Sequence, residues 1–357
     1  EKPCGEGILP AGAAVLERMG VLPALVAAGA RPFRGIRYHA PSGRSADGLF
    51  PEGARGYGVR RHVLDETLLR AAAASPRVRV EEGFAVRELL RHDGGAGTRR
   101  EAEGRASAIV GVVAEGGREL RAPLVIGADG ARSRVRKLAG LDGRATERWG
   151  VRQHYRPTTP PPDEEMVDVY VTGSAEAYVT PVAPGEYGVA WLRGEPSPAP
   201  TPLAESEGAT RGERLIRETL RGRAGIAAAL ADAPATSEPL AAAGMGSVAR
   251  SPIADGLLLL GDAAGSPDPI TGMGVAFALR CAEGLPRALA GAFARNDFSR
   301  AALTPFVRLR RHEVAGGFAV TRAVMWLACR KARAELAVRA LRLAPPLFPA
   351  LFRLAAG

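Results

Sequence analysis

Lysine is nearly absent: of the 48 basic residues all but Lys2, Lys137 and Lys331 are arginine, set against 38 acidic ones. The resulting charge of +10 is spread along the chain among acids, and aromatics make up only 5% of residues. A nucleic-acid surface gathers its cations on one face or beside stacking rings, so no nucleic-acid partner is expected. Cysteine is equally scarce. Cys4, Cys281 and Cys329 lie far apart and form no CxxC pair, which supports neither a disulfide framework nor a structural zinc site and suits a reducing, cytoplasmic compartment. Long apolar runs are missing as well. Leu343 to Phe352 is about half of a bilayer span and is broken by Pro345, Pro346 and Pro349, so no transmembrane segment is expected. No HExxH, no Ser/His/Asp arrangement and no repeat of 20–50 residues occurs, and the last absence excludes a solenoid.

What remains is a chain of 357 residues, 46% hydrophobic and 24% charged, enough to bury a core in two domains or one large one. From Pro10 apolar residues recur at helical spacing up to Gly20, with a short second helix up to Gly29. The segment from Gly56 turns from extended to helical near Val63 and stops at Pro76. Ser107 to Ala114, Arg118 to Arg121 and Pro123 to Ala128 read as a strand meander, the first two joined by a turn at Glu115-Gly116-Gly117. A second strand-rich block comprises Val151 to Tyr155, Met166 to Thr172, Ala177 to Val182 and Tyr187 to Leu192, interrupted by Pro-rich loops at 157–162 and 196–202. A helix over Arg211 to Leu230, a short apolar strand at Gly256 to Leu260 and helices from Gly274 onward complete the order.

Two stretches carry chemistry. In residues 257–285 a buried strand ends at Gly261, Asp262 follows at once, and a Pro/Gly-rich loop through Pro269 leads to Gly272-Met273-Gly274 and a helix. An acid at a strand's carboxyl end can accept hydrogen bonds from sugar or polyol hydroxyls, glycines admit a ligand close to the backbone, and a helix N-terminus offers free N–H groups to an electron-rich ring edge such as that of a reduced flavin. In residues 125–140 another short apolar strand is followed by Asp129-Gly130, Ser133 and three arginines. There a carboxylate can orient a ribose or a pyrophosphate-bound water, and arginines can steer an anion. Taken singly, the first stretch also reads as a tight strand-to-helix turn with Asp262 as the helix cap, and the second as a generic strand-to-helix turn.

Together they are more specific. GADGxxSxVR followed by GDAAGxxxPxxGxG resembles the flavoprotein hydroxylase superfamily, which includes para-hydroxybenzoate hydroxylase, geranylgeranyl reductases and flavin halogenases. Arg61-His62-Val63-Leu64-Asp65 is similar to that family's RxxLD helix start, and residues 2–7, KPCGEG, resemble the KxCGxG segment of its geranylgeranyl-reductase-like branch. The resemblance implies an α/β fold: a Rossmann-like FAD-binding domain, incomplete at its N-terminus, with a mixed β-sheet substrate domain and C-terminal helices. It divides the chain into a first FAD-binding part (1–150), a substrate sheet (151–250), a returning FAD-binding segment (251–300) and a helical region (301–357).

By the same resemblance Asp262, after Gly261, binds the ribityl chain of FAD, and the loop from Pro269 through Gly272, Met273 and Gly274 meets the isoalloxazine edge. Asp129 and Gly130 lie near the pyrophosphate and the path of a transient NAD(P)H, with Arg61 close to the phosphates or ribityl group. Cys4 reads either as a small buried side chain or as a thiol beside the isoalloxazine. His154, Tyr170, Tyr178 and Trp191 lie on strands expected to roof the flavin, where alternation lets only one face of each strand reach a small-molecule substrate.

The family's opening strand, GxGxxG turn, helix and acid-ending second strand do not occur after Glu1. The expectation is therefore a record trimmed at its start, or a chain defective in FAD binding. The one GxGxxA match, Gly244 to Ala249, is not followed by a helix and is discounted. The leading expectation is an NAD(P)H- and O2-dependent monooxygenase of a small aromatic or polyketide-like molecule. Its rivals are a flavin reductase of isoprenoid double bonds, favoured by KPCGEG, and a non-catalytic binding protein that has lost FAD. Halogenation is disfavoured because no WxWxI run occurs. The arginine- and leucine-rich C-terminal helices read as packed on the body, with peripheral membrane contact as the alternative.

Overall fold

The computed structural model describes residues 2, 4–92, 108–144, 148–159, 163–173, 175–193, 205–246, 248–265, 268–346 and 348–350. The Pro-rich loop at 196–202 lies outside these residues, as do 160–162 and parts of the first meander strand and of the C-terminal apolar run.

The centre of the molecule is a seven-stranded mixed sheet whose strands run, in spatial order, Leu240–Met245, Arg148–Tyr155, Glu186–Arg193, Ala175–Ala183, Met166–Val171, Gly35–His39 and Ser45–Leu49. Its strands are rich in valine and aromatic residues, which fit a pleated, packed surface. Only Met166–Val171 and Gly35–His39 pair in parallel; the other neighbours are antiparallel. Met166–Val171 is buried at every position, because both faces of the sheet are covered. The strand-rich block foreseen in the sequence forms this sheet. It also recruits two strands from within the first 150 residues, through the register Ile36↔Val167 and Tyr38↔Val169.

One face packs on helices Glu205–Leu220 and Ile226–Ala231, where Val151, Tyr155, Tyr170, Val189 and Trp191 meet Ile216, Leu220 and Leu230. The single helix expected over Arg211 to Leu230 is thus two, split where Gly222 and Gly225 adopt φ of 71° and 73°. The other face packs on helices Thr304–Ala328 and Lys331–Leu343 and on the loop around Ile270 and Met273.

Beside this body, Leu257–Leu259 pairs in parallel with Val125–Gly127 and antiparallel with Ile253–Ala254. All three leucines are fully buried, each contributing roughly 1.5–3 kcal/mol. The meander Val86–Arg91, Ile109–Ala114 and Glu119–Arg121 packs nearby, and its turn places Gly116 and Gly117 at positive φ. Gly7–Ile8, Gly56–Gly58 and Arg31–Phe33 form a third small sheet. Helices Pro10–Arg18 and Arg61–Ala73 share with it a core made by Ile8, Leu16, Val59 and Leu64.

Candidate functional site

The strand Leu257–Leu259 runs into a single 3-10 turn, Gly261–Ala263, which presents Asp262 at the strand's carboxyl end. Among the described residues no side chain or backbone group bonds to the Asp262 carboxylate. A second 3-10 turn, Pro269–Thr271, is capped by Asp268, whose Oδ1 accepts from Ile270 N at 3.1 Å. Gly272 then adopts φ 65° and the 22-residue helix Gly274–Arg295 begins behind Met273 with no side-chain cap. A Cβ on Gly274 would stand 3.9 Å from Asp262 Oδ1, so the acid and the helix start lie together. Behind them is a shallow cleft lined by Gly265, Cys281 and Arg310. Burial pushes the Cys281 thiol up to about 11, and the Arg310 guanidinium donates to Gly265 O.

Asp129 is used differently. Its Oδ1 accepts from the Ser133 hydroxyl at 2.5 Å and its Oδ2 from Val135 N at 3.0 Å, while Ser133 Oγ accepts from Arg136 N. The carboxylate thereby caps helix Arg134–Leu138. Gly130 adopts φ 84°, and a Cβ placed on it would meet Lys2 Nζ at 3.8 Å. Arg136, the last residue of the GADGxxSxVR stretch, is buried and donates to Ala131 O at 2.7 Å and to Ala263 O, 127 residues away, at 3.1 Å. One guanidinium thus fastens the two motifs together.

The N-terminal segment completes the cluster. Glu6 sits in the left-handed region at φ 58° and is 3% exposed. Its Oε1 accepts from Arg61 N at 2.9 Å, capping helix Arg61–Ala73, and its Oε2 lies 2.6 Å from His154 Nε2. A side chain at Gly188 would collide with that carboxylate. His154 Nδ1 lies 2.8 Å from Arg152 Nη1 and from Ser237 Oγ. A guanidinium has no lone pair to offer, so Nδ1 accepts and Nε2–H donates to Glu6. Cys4 is half-buried; Glu6 N donates to its Sγ at 3.4 Å. Burial raises this thiol's pKa, and the Arg61 guanidinium opposes the rise. Arg61 Nε also donates to Asp65 Oδ1 at 2.8 Å. Val275 and Leu279 of helix Gly274–Arg295 pack on the core that holds Ile8 and Leu64, so the helix that starts beside Asp262 runs against the elements that carry Glu6 and Arg61.

The expected substrate residues are divided by the sheet. His154 and Tyr178 share one face, His154 toward Glu6 and Tyr178 toward the loop of Ile270 and Met273: Tyr178 OH donates, with contacts to Glu176 Oε2 at 2.7 Å and Ile270 O at 2.8 Å. Tyr170 and Trp191 point the other way. Tyr170 OH donates to Ala224 O and accepts from Ala227 N, and Trp191 Nε1 donates to Thr219 Oγ1. These two rings correct the expectation: register assigns them to the face covered by helices Glu205–Leu220 and Ile226–Ala231. Sequence reasoning also missed Arg148, wholly buried beneath the loop, with Nη2 at 3.3 Å from Glu176 Oε1 and Nη1 at 3.0 Å from Asp268 Oδ1.

A family model described as "FAD binding domain" matches residues 13–304. This chain belongs to the FAD-binding-domain family. It is 30% identical over 309 residues to digeranylgeranylglycerophospholipid reductase 2 of Methanopyrus kandleri, an alignment covering 84% of this chain and 69% of the relative. Among solved structures, the flavin-dependent brominase Bmp2 superposes with TM-score 0.77 at 16% identity, over 100% of this chain and 85% of that one. The probable FAD-dependent monooxygenase PqsL of Pseudomonas aeruginosa gives 0.68 at 20%, over 94% and 90%. A flavoprotein/dehydrogenase of Cytophaga hutchinsonii gives 0.73 at 22%, over 100% and 84%. The chain is an FAD-dependent oxidoreductase with the flavoprotein monooxygenase fold. Its residues fit the flavin end of the cofactor: a carboxylate with no partner among the described residues, a left-handed glycine, and an uncapped helix start beside it.

Proposed function

We propose that this flavoprotein is a monooxygenase that draws electrons from NAD(P)H and places oxygen on an apolar, small aromatic or polyketide-like molecule in the cytoplasm. The observation that carries this reading is the composition of the flavin-facing side of the sheet. Val167, Val169 and Val171, each at most 7% exposed, pack there in one apolar cluster with Phe50, Ile270, Met273 and Phe318, a dry core behind the loop that helps to keep water from reactive chemistry beside it.

In this reading Asp262 accepts from the ribityl hydroxyls, Gly272 and Gly274 let backbone N–H groups approach the ring, and Arg61, Gly130 and Pro269 border the cofactor. Asp129 acts through the backbone it caps. Bound FAD would supply two-electron chemistry toward NAD(P)H and O2. The protein's share is to hold the ring against the sheet, to fix the Cys4–Glu6 segment through His154, and to exclude water. The test is flavin released from the purified chain, followed by NAD(P)H-dependent O2 uptake across a panel of aromatic and polyketide substrates. Flavin-loaded protein with substrate-stimulated uptake supports the proposal, and loaded protein with no uptake on any substrate counts against it.

A second reading, reduction of an isoprenoid double bond, is supported by the seating of residues 4–6 against the substrate sheet and by the outer face of the C-terminal helices. Trp326, Leu336 and Leu343 are 59%, 65% and 75% exposed there. Arg333 lies 4.1 Å over the Trp326 ring, and Arg330, Arg339 and Arg342 flank them. Such a basic apolar stripe fits an anionic bilayer, from which a lipid substrate could be drawn. Anaerobic turnover with a chemical electron donor, together with sedimentation on anionic but not neutral vesicles, would favour this reading over oxygenation.

A further inference from the structure

We propose that Arg148 is the positioning residue of the flavin loop, a buried clamp that fixes residues 268–272 from the sheet without touching the cofactor. This inference rests on the assignment of that loop to the flavin. Arg148 lies where the pairing of Arg148–Tyr155 with Leu240–Met245 slips register, between Arg148 and Trp149, and such irregularities re-aim side chains. Its guanidinium, 0% exposed, divides its donors between Glu176 on the sheet and Asp268 on the loop. Nη1 also lies 2.7 Å from Met325 Sδ, and Nε has no partner among the described residues.

The loop is held at two further points. Tyr178 OH spans Glu176 and Ile270 O, and Thr271 Oγ1 lies 3.2 Å from Thr321 Oγ1. Asp268 in turn accepts from Ile270 N, so the side chain that Arg148 grips is the one that shapes the turn before Gly272. A buried ion pair is seldom worth its desolvation as stability alone. Ile270 and Met273 seat the loop in the apolar cluster, but apolar contact is non-directional and leaves the orientation of its short turns open. Directional charge-assisted bonds supply what packing there does not.

The test compares Arg148→Met, Arg148→Lys and Tyr178→Phe with the unaltered chain in two measurements. In the flavin-free protein, amide hydrogen exchange at Ile270 and Gly272 rises about ten-fold in Arg148→Met and less in Arg148→Lys, while Val151 and Val189 on the opposite face stay protected. With FAD added, the dissociation constant rises about ten-fold and the visible absorption bands of bound flavin broaden in the same order of variants. If Arg148→Met does not fold, Tyr178→Phe, which deletes one hydroxyl, carries the test with a several-fold rise at the same two amides. Uniform loosening of both faces, or no change at Ile270 and Gly272 in a folded variant, overturns the clamp. If the unaltered chain takes up no flavin, the cofactor assignment fails while the exchange measurement still decides the clamp.

Discussion

The two faces of the seven-stranded sheet are built from the same strands by different means. The face toward helices Glu205–Leu220 and Ile226–Ala231 is dominated by rings and aliphatics, and its tyrosine and tryptophan polar atoms bond locally to those helices and to neighbouring strand residues. The face toward the 268–272 loop adds to its apolar surface Arg148, Arg152, His154 and Glu176, each at most 1% exposed, in networks that reach Glu6 and Asp268. The first arrangement gives stability through area. The second ties segments distant in sequence to set positions, at a desolvation cost that area alone would not require. The helix-covered face also buries a pair, His39 with Asp168 at 2.6 Å, but that pair joins neighbouring strands, whereas the charges beneath the 268–272 loop reach segments outside the sheet.

The sharpest way to break this comparison is to damage each face equally. Trp191→Ala, by cavity formation, and Glu6→Ala, by stranding His154 and uncapping Arg61 N, are each expected to cost about 3–5 kcal/mol. Denaturant titration should find similar losses. Flavin affinity per folded molecule should fall only in Glu6→Ala, and equal falls in both would erase the distinction. Next in size, Asp262→Ala should weaken flavin binding by about 10- to 100-fold, as expected for hydrogen bonds to a charged group worth roughly 1.5–3 kcal/mol, with little change in the melting temperature of the flavin-free chain. Equilibrium dialysis and a thermal melt decide it.

Much of the backbone from 257 to 274 was legible because glycine and proline punctuate it. Gly261, Pro269 and Gly272 mark turns whose chemistry leaves few alternatives, and the leucines at 257–259 announced a buried parallel strand. The direction of the rings was not legible. Met166–Val171 and Glu186–Arg193 are covered on both sides, so no polar alternation reveals which face Tyr170 or Trp191 takes. The burial of Arg136 and of Arg148 was hidden for a related reason: arginine is ordinarily read as surface, and only the folded chain shows which of 45 arginines are enclosed. The recruitment of Gly35–His39 into the large sheet depends on a parallel pairing with residues more than a hundred positions away, beyond the reach of any local pattern.

A smaller effect separates the faces by pH. Burial raises the Glu176 and Asp268 carboxyls above their ordinary range, against the pull of Arg148. Between the ordinary carboxylate value and the raised one, the folded state holds more protons than the unfolded state, so stability falls as pH rises through that window. Glu176→Gln removes one titration, and its melting temperature should therefore gain on that of the unaltered chain as pH increases. Tyr170, on the other face, has its phenol raised by burial too, but it titrates far above this window, and Tyr170→Phe should show no such slope below pH 8.

The smallest effect lies outside both faces and has the opposite sign. Arg18 and Glu283 form a two-point pair between the first helix and Gly274–Arg295, at 2.6 and 2.8 Å, with side chains 57% and 36% exposed. The arginine's hydrogen bond lowers the Glu283 carboxyl below its ordinary value. Here the folded state holds fewer protons, so the contribution is present above the ordinary carboxylate value and is lost as pH falls through the lowered one. Solvent screens an exposed pair, and Glu283→Gln should move the melting temperature at neutral pH by no more than roughly 2 °C. Melts of Glu176→Gln and Glu283→Gln against pH should thus give differences from the unaltered chain of opposite slope. Slopes of the same sign would mean that the carboxylates beneath the flavin loop are solvated like those on the surface, and that burial does not set that face apart.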